Sequence, residues 1–298
     1  MTRAAPPRRV VFLGTPEMAV PPLRALVDAG FDVSLVVTRI DKRRGRGSEL
    51  MPSPVKAAAL ELGVPVSHSV DEAMGASADL GVVVAFGQLI KPHVLAVLPM
   101  VNLHFSLLPR WRGAAPVERA LLAGDTETGV CLMQLEEGID TGPVFTCTTV
   151  PIGARTTAAE LRATLVEVGT GMLVDELTAG LGEPRSQVGE PTYASKLSSD
   201  ELQIDWTRSA ADVDRLVRLG GAWTTLHGRR LKIIGAELID PTAPSTHELR
   251  GDRVGGLRIA TVQPEGRRAM PLDAFARGTH LSEVETLGAT DRSNVDDR

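Results

Sequence analysis

Three polar side chains in this sequence have the types and spacing that suit catalysis. Asn102 and His104 close an apolar run, and residues two apart in a strand point to the same side, so both would face one reacting centre at the strand's carboxyl end. Asp140 lies between glycines, in Gly138-Ile139-Asp140-Thr141-Gly142, and can return from another strand. A lone histidine is most often a core residue, but these neighbours favour a catalytic triad of Asn102, His104 and Asp140.

The elements that must position these residues alternate between strands and helices. Apolar runs predict strands at 9–13, 33–38, 64–66, 80–86 and from 101, and helical spacing predicts helices at 17–29, 54–62, 92–98, 116–123 and 156–181. This alternation predicts an α/β fold with a Rossmann-like, doubly wound, mostly parallel sheet. Strands at 128–135 and 144–152 would extend it antiparallel. Gly14-Thr15-Pro16 lacks the further glycines of a dinucleotide fingerprint, which favours a tight turn.

The later part of the chain predicts a second, smaller domain. A helix at 210–219 is followed by short strands at 222–226, 230–238, 257–262 and near 269–272, which favour a small β barrel. The expected organisation is a flexible N-terminus at 1–8, a catalytic domain at 9–181, a polar linker at 182–203, a barrel-like domain at 204–280 and a disordered tail at 281–298.

Composition indicates an ordinary globular protein. The 298 residues are 43% hydrophobic and 23% charged, with a formal net charge of −5. No uninterrupted apolar run reaches the ~18 residues of a membrane span, and no secretory signal precedes Cys131 and Cys147, so we expect a cytoplasmic protein with two reduced thiols. No grouping of His, Cys, Asp and Glu has metal-ligand spacing, so we expect no metal.

Positive charge is concentrated in two places. Arg39, Lys42, Arg43, Arg44 and Arg46 crowd the loop after the second strand, and residues 207–280 hold 12 Lys and Arg against 8 Asp and Glu. A charge run is usually a solvated surface. At the carboxyl end of a strand, however, where an open α/β sheet binds its ligands, five cations favour contact with nucleic acid phosphates.

Several motifs resemble the formyltransferases that use 10-formyltetrahydrofolate. The site motifs that carry the resemblance are Asn102-Leu103-His104, the segment 106–116 (SLLPRWRGAAP) and Gly138-Ile139-Asp140-Thr141-Gly142. Gly45-Arg46-Gly47, Thr192-Tyr193-Ala194-Ser195-Lys196-Leu197 and Ala222-Trp223 extend it over almost the whole chain, and favour members that act on charged tRNA over those that act on glycinamide ribotide or amino sugars. The resemblance implies an OB-like C-terminal barrel that helps to hold tRNA.

The resemblance also implies the reaction and the role of each site residue. The α-amine of initiator methionyl-tRNA would attack the formyl group of 10-formyltetrahydrofolate, giving formylmethionyl-tRNA for translation initiation. Asn102 and His104 would donate hydrogen bonds to the oxyanion, and Asp140 would orient His104 and relay the amine proton. The expected folate-binding residues are Ser106, Leu107, Leu108 and Pro109, with Phe86, Gly87, Gln88, Leu89 and Ile90 along the pterin. The expected tRNA-binding residues are Arg46, Arg43, Arg44 and Lys42.

The sequence departs from the family pattern in three places. Arg43 and Arg44 make the Arg46 loop more cationic than usual, and the segment 239–257 is expected to lack roughly two barrel strands. Arg218-Leu219-Gly220-Gly221 replaces the Asn-Pro-Trp-Pro that usually precedes Gly-Ala-Trp. A shortened barrel would favour a small amine, such as an amino sugar, as the acceptor. A noncatalytic tRNA-binding paralogue is the alternative from another functional class. We expect the chain to act as a monomer away from membranes.

Overall fold

The computed structural model describes residues 3–43, 50–244 and 246–288. The chain divides into two compact units, which we call the N-terminal unit (residues 1–117, 126–152 and 161–196) and the C-terminal unit (residues 118–125, 153–160 and 197–298). No helix within the described residues is both long enough and apolar enough to cross a membrane. The same residues contain no cluster of three or more His, Cys, Asp or Glu that could hold a metal ion.

A seven-stranded sheet forms the centre of the N-terminal unit. Its strands are β1 (Arg9–Gly14), β2 (Asp32–Val37), β5 (Val66–Ser67), β6 (Leu80–Val84), β7 (Met100–His104), β9 (Glu127–Gln134) and β10 (Val144–Pro151); the two-residue strands outside it are β3 (Lys42–Arg43), β4 (Leu50–Met51), β8 (Arg112–Gly113) and β11 (Tyr193–Ala194). The order across the sheet is β10-β9-β7-β6-β1-β2-β5. Five strands run parallel and β9 and β10 are antiparallel, which confirms the predicted Rossmann-like sheet and its antiparallel extension.

Helices form where the sequence predicted them. They are α1 (Val20–Asp28), α2 (Pro54–Glu61), α3 (Pro92–Leu95), α4 (Pro116–Ala123) and α5 (Ala158–Ala179). Ser53 caps α2 by accepting a hydrogen bond from the Lys56 amide at 3.0 Å. α5 continues through Gly169. A Cβ at this position would lie 3.0 Å from Val130 and 3.1 Å from Leu103. The glycine therefore lets the helix approach the sheet.

The strand order reverses between β1 and β6. The chain leaves β1 toward β2 and β5 on one side, and returns to β6 and β7 on the other. In doubly wound sheets the crevice that binds ligands lies at such a reversal, at the carboxyl ends of the strands. Gly14 ends β1 at this position, and a Cβ on it would lie 2.8 Å from the Phe12 ring and 3.1 Å from the Val84 carbonyl oxygen. The asparagine and histidine lie at the same end of β7, which is the strand beyond β6.

The two cysteines contradict the expectation of reduced thiols. Cys131 in β9 and Cys147 in β10 are directly opposite each other, with Cα atoms 4.1 Å apart, and a disulfide joins them. Opposed positions on antiparallel strands bring side chains within bonding reach. The sequence shows only their separation of 16 residues, whereas the strand register decides their contact.

The C-terminal unit is built around an antiparallel sheet with its own apolar core. Its elements are β12 (Trp223–Leu226), β13 (Arg229–Leu238), β14 (Glu248–Arg250), β15 (Arg253–Val254), β16 (Leu257–Pro264), β17 (Met270–Pro271), β18 (Val284–Thr286), α6 (Ala210–Arg218) and α7 (Leu272–Thr279). The order is β12-β13-β16-β15-β14-β18, with β17 beside β16. Ile233, Val262 and Phe275 are among its core residues.

The segment 239–257 was expected to lack roughly two strands of the usual barrel; it contains β14 and β15, and the shortening of the barrel stays a prediction. One expectation about this unit was wrong. Residues 281–298 were expected to be a disordered tail, yet β18 pairs with β14, and Leu287 enters the core with 1% of its surface exposed. Each of these strands is only two or three residues long, too short to give a visible period in the sequence. Residues 289–298 lie outside the described part of the chain.

Candidate active site

The structure brings together the three residues that the sequence singled out. Asn102 and His104 are alternate residues of β7, between β6 and β9. Asp140 lies in the turn from β9 to β10. Its Oδ1 accepts a hydrogen bond from Asn102 Nδ2 at 3.3 Å, and its Oδ2 lies 3.5 Å from His104 Nδ1. An amide, an imidazole and a carboxylate thus meet at the carboxyl end of β7.

Asp140 is held in an unusual backbone conformation. Its φ is +49°, a left-handed conformation that non-glycine residues seldom adopt, although aspartate tolerates it better than most. Its flanking glycines are required by space: a Cβ on Gly138 would lie 2.3 Å from Thr141 Oγ1, and one on Gly142 would lie 2.0 Å from the Gln134 carbonyl oxygen. The glycine-rich motif therefore packs a tight turn that directs one carboxylate back over the sheet.

The Asp140 carboxylate is nearly buried and well supplied with partners. Its side chain is 14% exposed, and Oδ2 also accepts a hydrogen bond from the Gly113 backbone amide at 2.7 Å. With Asn102 on the other oxygen, each carboxylate oxygen accepts a hydrogen bond from one donor. Because one amide hydrogen of Asn102 is engaged by Asp140, the other remains available to a substrate oxygen.

His104 is oriented by the loop that follows its own strand. Its side chain is buried, and Nε2 lies 3.0 Å from the Trp111 carbonyl oxygen. A carbonyl oxygen can only accept, so Nε2 carries a proton and donates it. Nδ1 faces Asp140 across a gap longer than an ordinary hydrogen bond. Without substrate, therefore, neither ring nitrogen is directed at open space, and the Asn102 amide is the donor best placed for an oxyanion.

The predicted folate-binding stretch after β7 has two different faces. Ser106 is fully buried, and its hydroxyl donates to the Arg110 carbonyl oxygen at 2.6 Å, which closes the loop. The Leu107 side chain packs against β9, since a Cβ on Gly129 would lie 2.5 Å from it. Leu108 and Pro109 are half-buried. Ser106 is thus a structural residue of the loop, and the apolar pair after Leu107 is the part that a ligand can reach.

The second predicted stretch, after β6, is anchored at both ends. Phe86 and Ile90 are buried, at 2% and 5% exposure. Between them Gly87, Gln88 and Leu89 are exposed, and Leu89 is 72% exposed although it is large and apolar. The Thr15 hydroxyl, after β1, donates to the Phe86 carbonyl oxygen at 3.4 Å. This loop therefore presents a backbone and one leucine beside the crevice.

The cationic loop is described only in part. The Arg39 guanidinium donates to the Gly87 carbonyl oxygen, which ties the loop after β2 to the loop after β6. Lys42 and Arg43 form β3, which pairs antiparallel with β4. Arg44 and Arg46 lie outside the described residues. The expected contact of these cations with tRNA stays a prediction.

The predicted linker passes through the site, which its sequence does not indicate. Residues 193–194 form β11 in parallel with β8, and Thr192 accepts at Oγ1 from the Trp111 amide at 2.9 Å and at its carbonyl from the Arg112 amide at 2.9 Å. Gln187 contacts the turn that carries Asp140. The segment is polar and rich in Gly and Pro, so composition indicates a linker and nothing in its spacing predicts these contacts.

Comparison with protein families gives two matches. Residues 8–177 match the family described as formyl transferase, and residues 196–280 match that described as formyl transferase, C-terminal domain. Among relatives, the methionyl-tRNA formyltransferase of Roseobacter denitrificans is 41% identical over 300 residues, which cover 92% of this chain and 97% of that protein.

Solved structures show the same fold at low identity. HypX from Aquifex aeolicus, in complex with tetrahydrofolic acid, aligns with a TM-score of 0.62 and 18% identity, over 91% of this chain but only 47% of that one. WlaRD, a sugar 3N-formyltransferase crystallised in the presence of dTDP and 5-N-formyl-THF, aligns with a TM-score of 0.64 and 16% identity, over 87% of this chain and 98% of that one.

Proposed function

Because the chain belongs to the formyl transferase family, as its motifs predicted, we propose that it transfers the formyl group of 10-formyltetrahydrofolate to the α-amine of initiator methionyl-tRNA. The observation that carries this proposal is the meeting of Asn102, His104 and Asp140 at the carboxyl end of β7. The relative from Roseobacter denitrificans supports the choice of acceptor, because the similarity extends over nearly the whole of both chains.

The described residues offer a surface that fits the folate. The faces of the pterin ring suit exposed apolar side chains at the mouth of a crevice, whereas its polar edges need hydrogen bonds. Leu89 is exposed there, and the half-buried Leu108 and Pro109 follow the neighbouring strand. The exposed backbone of Gly87 and Gln88 adds peptide groups for polar edges of the ring. When bound, 10-formyltetrahydrofolate supplies the electrophilic formyl carbon.

Asp140 and the side chains around it have separate roles in the reaction. As the neutral α-amine forms its bond to the formyl carbon, the carbonyl oxygen gains negative charge, and the free Asn102 amide hydrogen is placed to stabilise it. The Asp140 carboxylate accepts the proton that the attacking nitrogen loses, directly or through one water. His104, fixed through Nε2 on the Trp111 carbonyl, directs Nδ1 toward the same carboxylate. As the bond between the formyl carbon and folate N10 breaks, that proton can pass to N10.

Two features of the sequence support an acceptor amine that is attached to RNA. The sequence segment that follows β2 contains Lys42, Arg43, Arg44 and Arg46. Residues 207–280 add the second excess of positive charge, 12 Lys and Arg against 8 Asp and Glu. Positive charge of this kind binds phosphates without regard to sequence. A cytoplasmic location and a monomeric state stay predictions.

A small amine is the second candidate acceptor. The sugar 3N-formyltransferase WlaRD has the same fold, and a shortened barrel would favour such an acceptor. The shortening stays a prediction, since β14, β15 and β18 are present in the C-terminal sheet. Convergence of all three polar side chains at one place speaks against a noncatalytic tRNA-binding paralogue.

One assay separates these candidates. The purified protein is incubated with 10-formyltetrahydrofolate and either initiator tRNA charged with labelled methionine or a nucleotide-linked amino sugar. Mild base then releases the amino acid for chromatography. We expect formylmethionine that depends on the protein and disappears with Asp140→Asn. Formylation of the sugar alone would identify a small amine as the acceptor. Formylation of neither substrate would refute the proposed formyl transfer.

A further inference from the structure

Gln187 uses every hydrogen-bonding position of its carboxamide within the candidate site. Its Nε2 donates to the carbonyl oxygens of Asp140 and Gly142, both at 2.8 Å. Its Oε1 accepts from Arg112 Nε at 3.1 Å and Nη2 at 2.7 Å. A primary amide has two donor hydrogens and two acceptor lone pairs, so all four are satisfied. The side chain is therefore fixed in one orientation.

These contacts control where the Asp140 carboxylate points. Gln187 holds the backbone carbonyl of Asp140, a residue whose left-handed φ of +49° needs support from its surroundings. Through Arg112 it also holds the residue next to Gly113, whose amide binds Asp140 Oδ2. One side chain thus fixes both the backbone of the carboxylate and the strand that donates to it.

Other residues of segment 185–194 also hold the turn and the loop of the candidate site. Arg185 and Val144 exchange two backbone hydrogen bonds, at 2.7 and 2.8 Å, just beyond the Asp140 turn. At the other end Thr192 binds the amides of Trp111 and Arg112, at 2.9 Å each. Segment 185–194 therefore joins the turn that carries the carboxylate to the loop whose carbonyl orients the histidine.

We propose that Gln187 is a positioning residue for formyl transfer, which acts by holding Asp140 in its productive geometry. This inference rests on the proposed function, since it assigns the amine proton to Asp140. The decisive variant is Gln187→Met, which keeps the length of the side chain and removes all four hydrogen bonds. Val188→Ala is the matched control, because Val188 is the next residue and is 87% exposed.

Kinetics measure the positioning role directly. We expect Gln187→Met to lower kcat by about 10- to 100-fold, the size of a small misplacement of catalytic groups, with KM for both substrates unchanged and Val188→Ala equal to wild type. In an Asp140→Asn background the same substitution should change kcat by less than about twofold, because the group on which it acts is already lost. Effects that multiply, or a rise in KM alone, would overturn the proposal.

A spectroscopic readout separates this inference from the proposed function. In isotope-labelled protein the ring nitrogen signals of His104 report its environment with no substrate present. We expect Gln187→Met to shift them and Val188→Ala to leave them in place, while the melting temperature confirms that both variants fold. Unchanged His104 signals in Gln187→Met would contradict the inference even if formyl transfer were demonstrated. Shifted His104 signals in a protein without formyltransferase activity would refute the proposed function, but would still show that Gln187 controls the geometry of the site.

Discussion

Replacement of Asp140 by asparagine should impair both the acceptance of the amine proton and the stabilisation of the oxyanion. The two carboxylate oxygens accept from Gly113 N at 2.7 Å and Asn102 Nδ2 at 3.3 Å. Asparagine has only one oxygen, and the shorter bond to Gly113 will retain it. The new NH₂ group then faces the NH₂ group of Asn102, and two donors cannot bond to each other. Asn102 must turn its oxygen inward, which carries its remaining donor hydrogen away from the substrate.

The expected magnitude follows from these two losses. Loss of a proton acceptor lowers rates by about 10²–10⁴, and loss of one oxyanion donor lowers them by about 10²–10³. Groups that act together are not additive, so we expect Asp140→Asn to lower the single-turnover rate by at least about 10³-fold. Binding of the folate should be unaffected, because neither oxygen of Asp140 belongs to the Leu89 and Leu108 surface.

Single-turnover kinetics with enzyme in excess over charged tRNA give the chemical rate without product release. Asp140→Glu is the matched control, since it retains the charge and both oxygens on a side chain one methylene longer. It should retain more activity than Asp140→Asn. A rate for Asp140→Asn within tenfold of wild type, in a variant that melts normally, would refute both the proton-acceptor role and the orientation of Asn102.

Three further outcomes are expected. Asn102→Ala should lower the chemical rate by about 10²–10³ through loss of the oxyanion donor, and a wild-type rate would contradict that role. Arg46→Ala should raise KM for charged tRNA and leave folate affinity unchanged; a loss of folate affinity would place the loop elsewhere. Burial raises the pKa of Glu285, but hydrogen bonds from the Ser282 amide and the His227 ring outweigh it and hold the pKa below its ordinary 4.5. The ionised form therefore stabilises the fold above about that pH, and this contribution disappears as pH falls through the folded-state value. Urea unfolding should show Glu285→Gln less stable than wild type at pH 7 and equal to it in acid; a constant difference would refute the linkage.

The sheet was predictable because each of its strands has a local signature. Residues 80–84 are all buried and all apolar or glycine, and Ser53 with Pro54 marks a helix start. Asn102 and His104 could be paired because the period of a strand is two. Asp140 could be placed near them because glycines on both sides indicate a constrained turn at the sheet's end.

The contacts that escaped prediction depend on where distant segments return. Gln187 lies in a polar stretch without period, and only the fold shows that it meets Asp140, 47 residues earlier. Cys131 and Cys147 meet through strand register. Trp111, whose carbonyl lies beside His104, has a φ of +63°. A tryptophan in the sequence does not indicate this left-handed conformation. Local patterns therefore give elements and motifs, and the orientation within the site comes from tertiary structure.

The pairing of β8 with β11 has a consequence for the order in which the molecule is completed. It joins residues about eighty positions apart, as in the 81-residue separation of Trp111 from Thr192, through two strands of two residues each. Closing so long a loop loses much chain entropy against few new bonds. During synthesis, the parallel strands can assemble while residues 185–194 are still being added. We therefore expect the carboxylate and the histidine to acquire their final orientation late, when the chain beyond the sheet folds back over them.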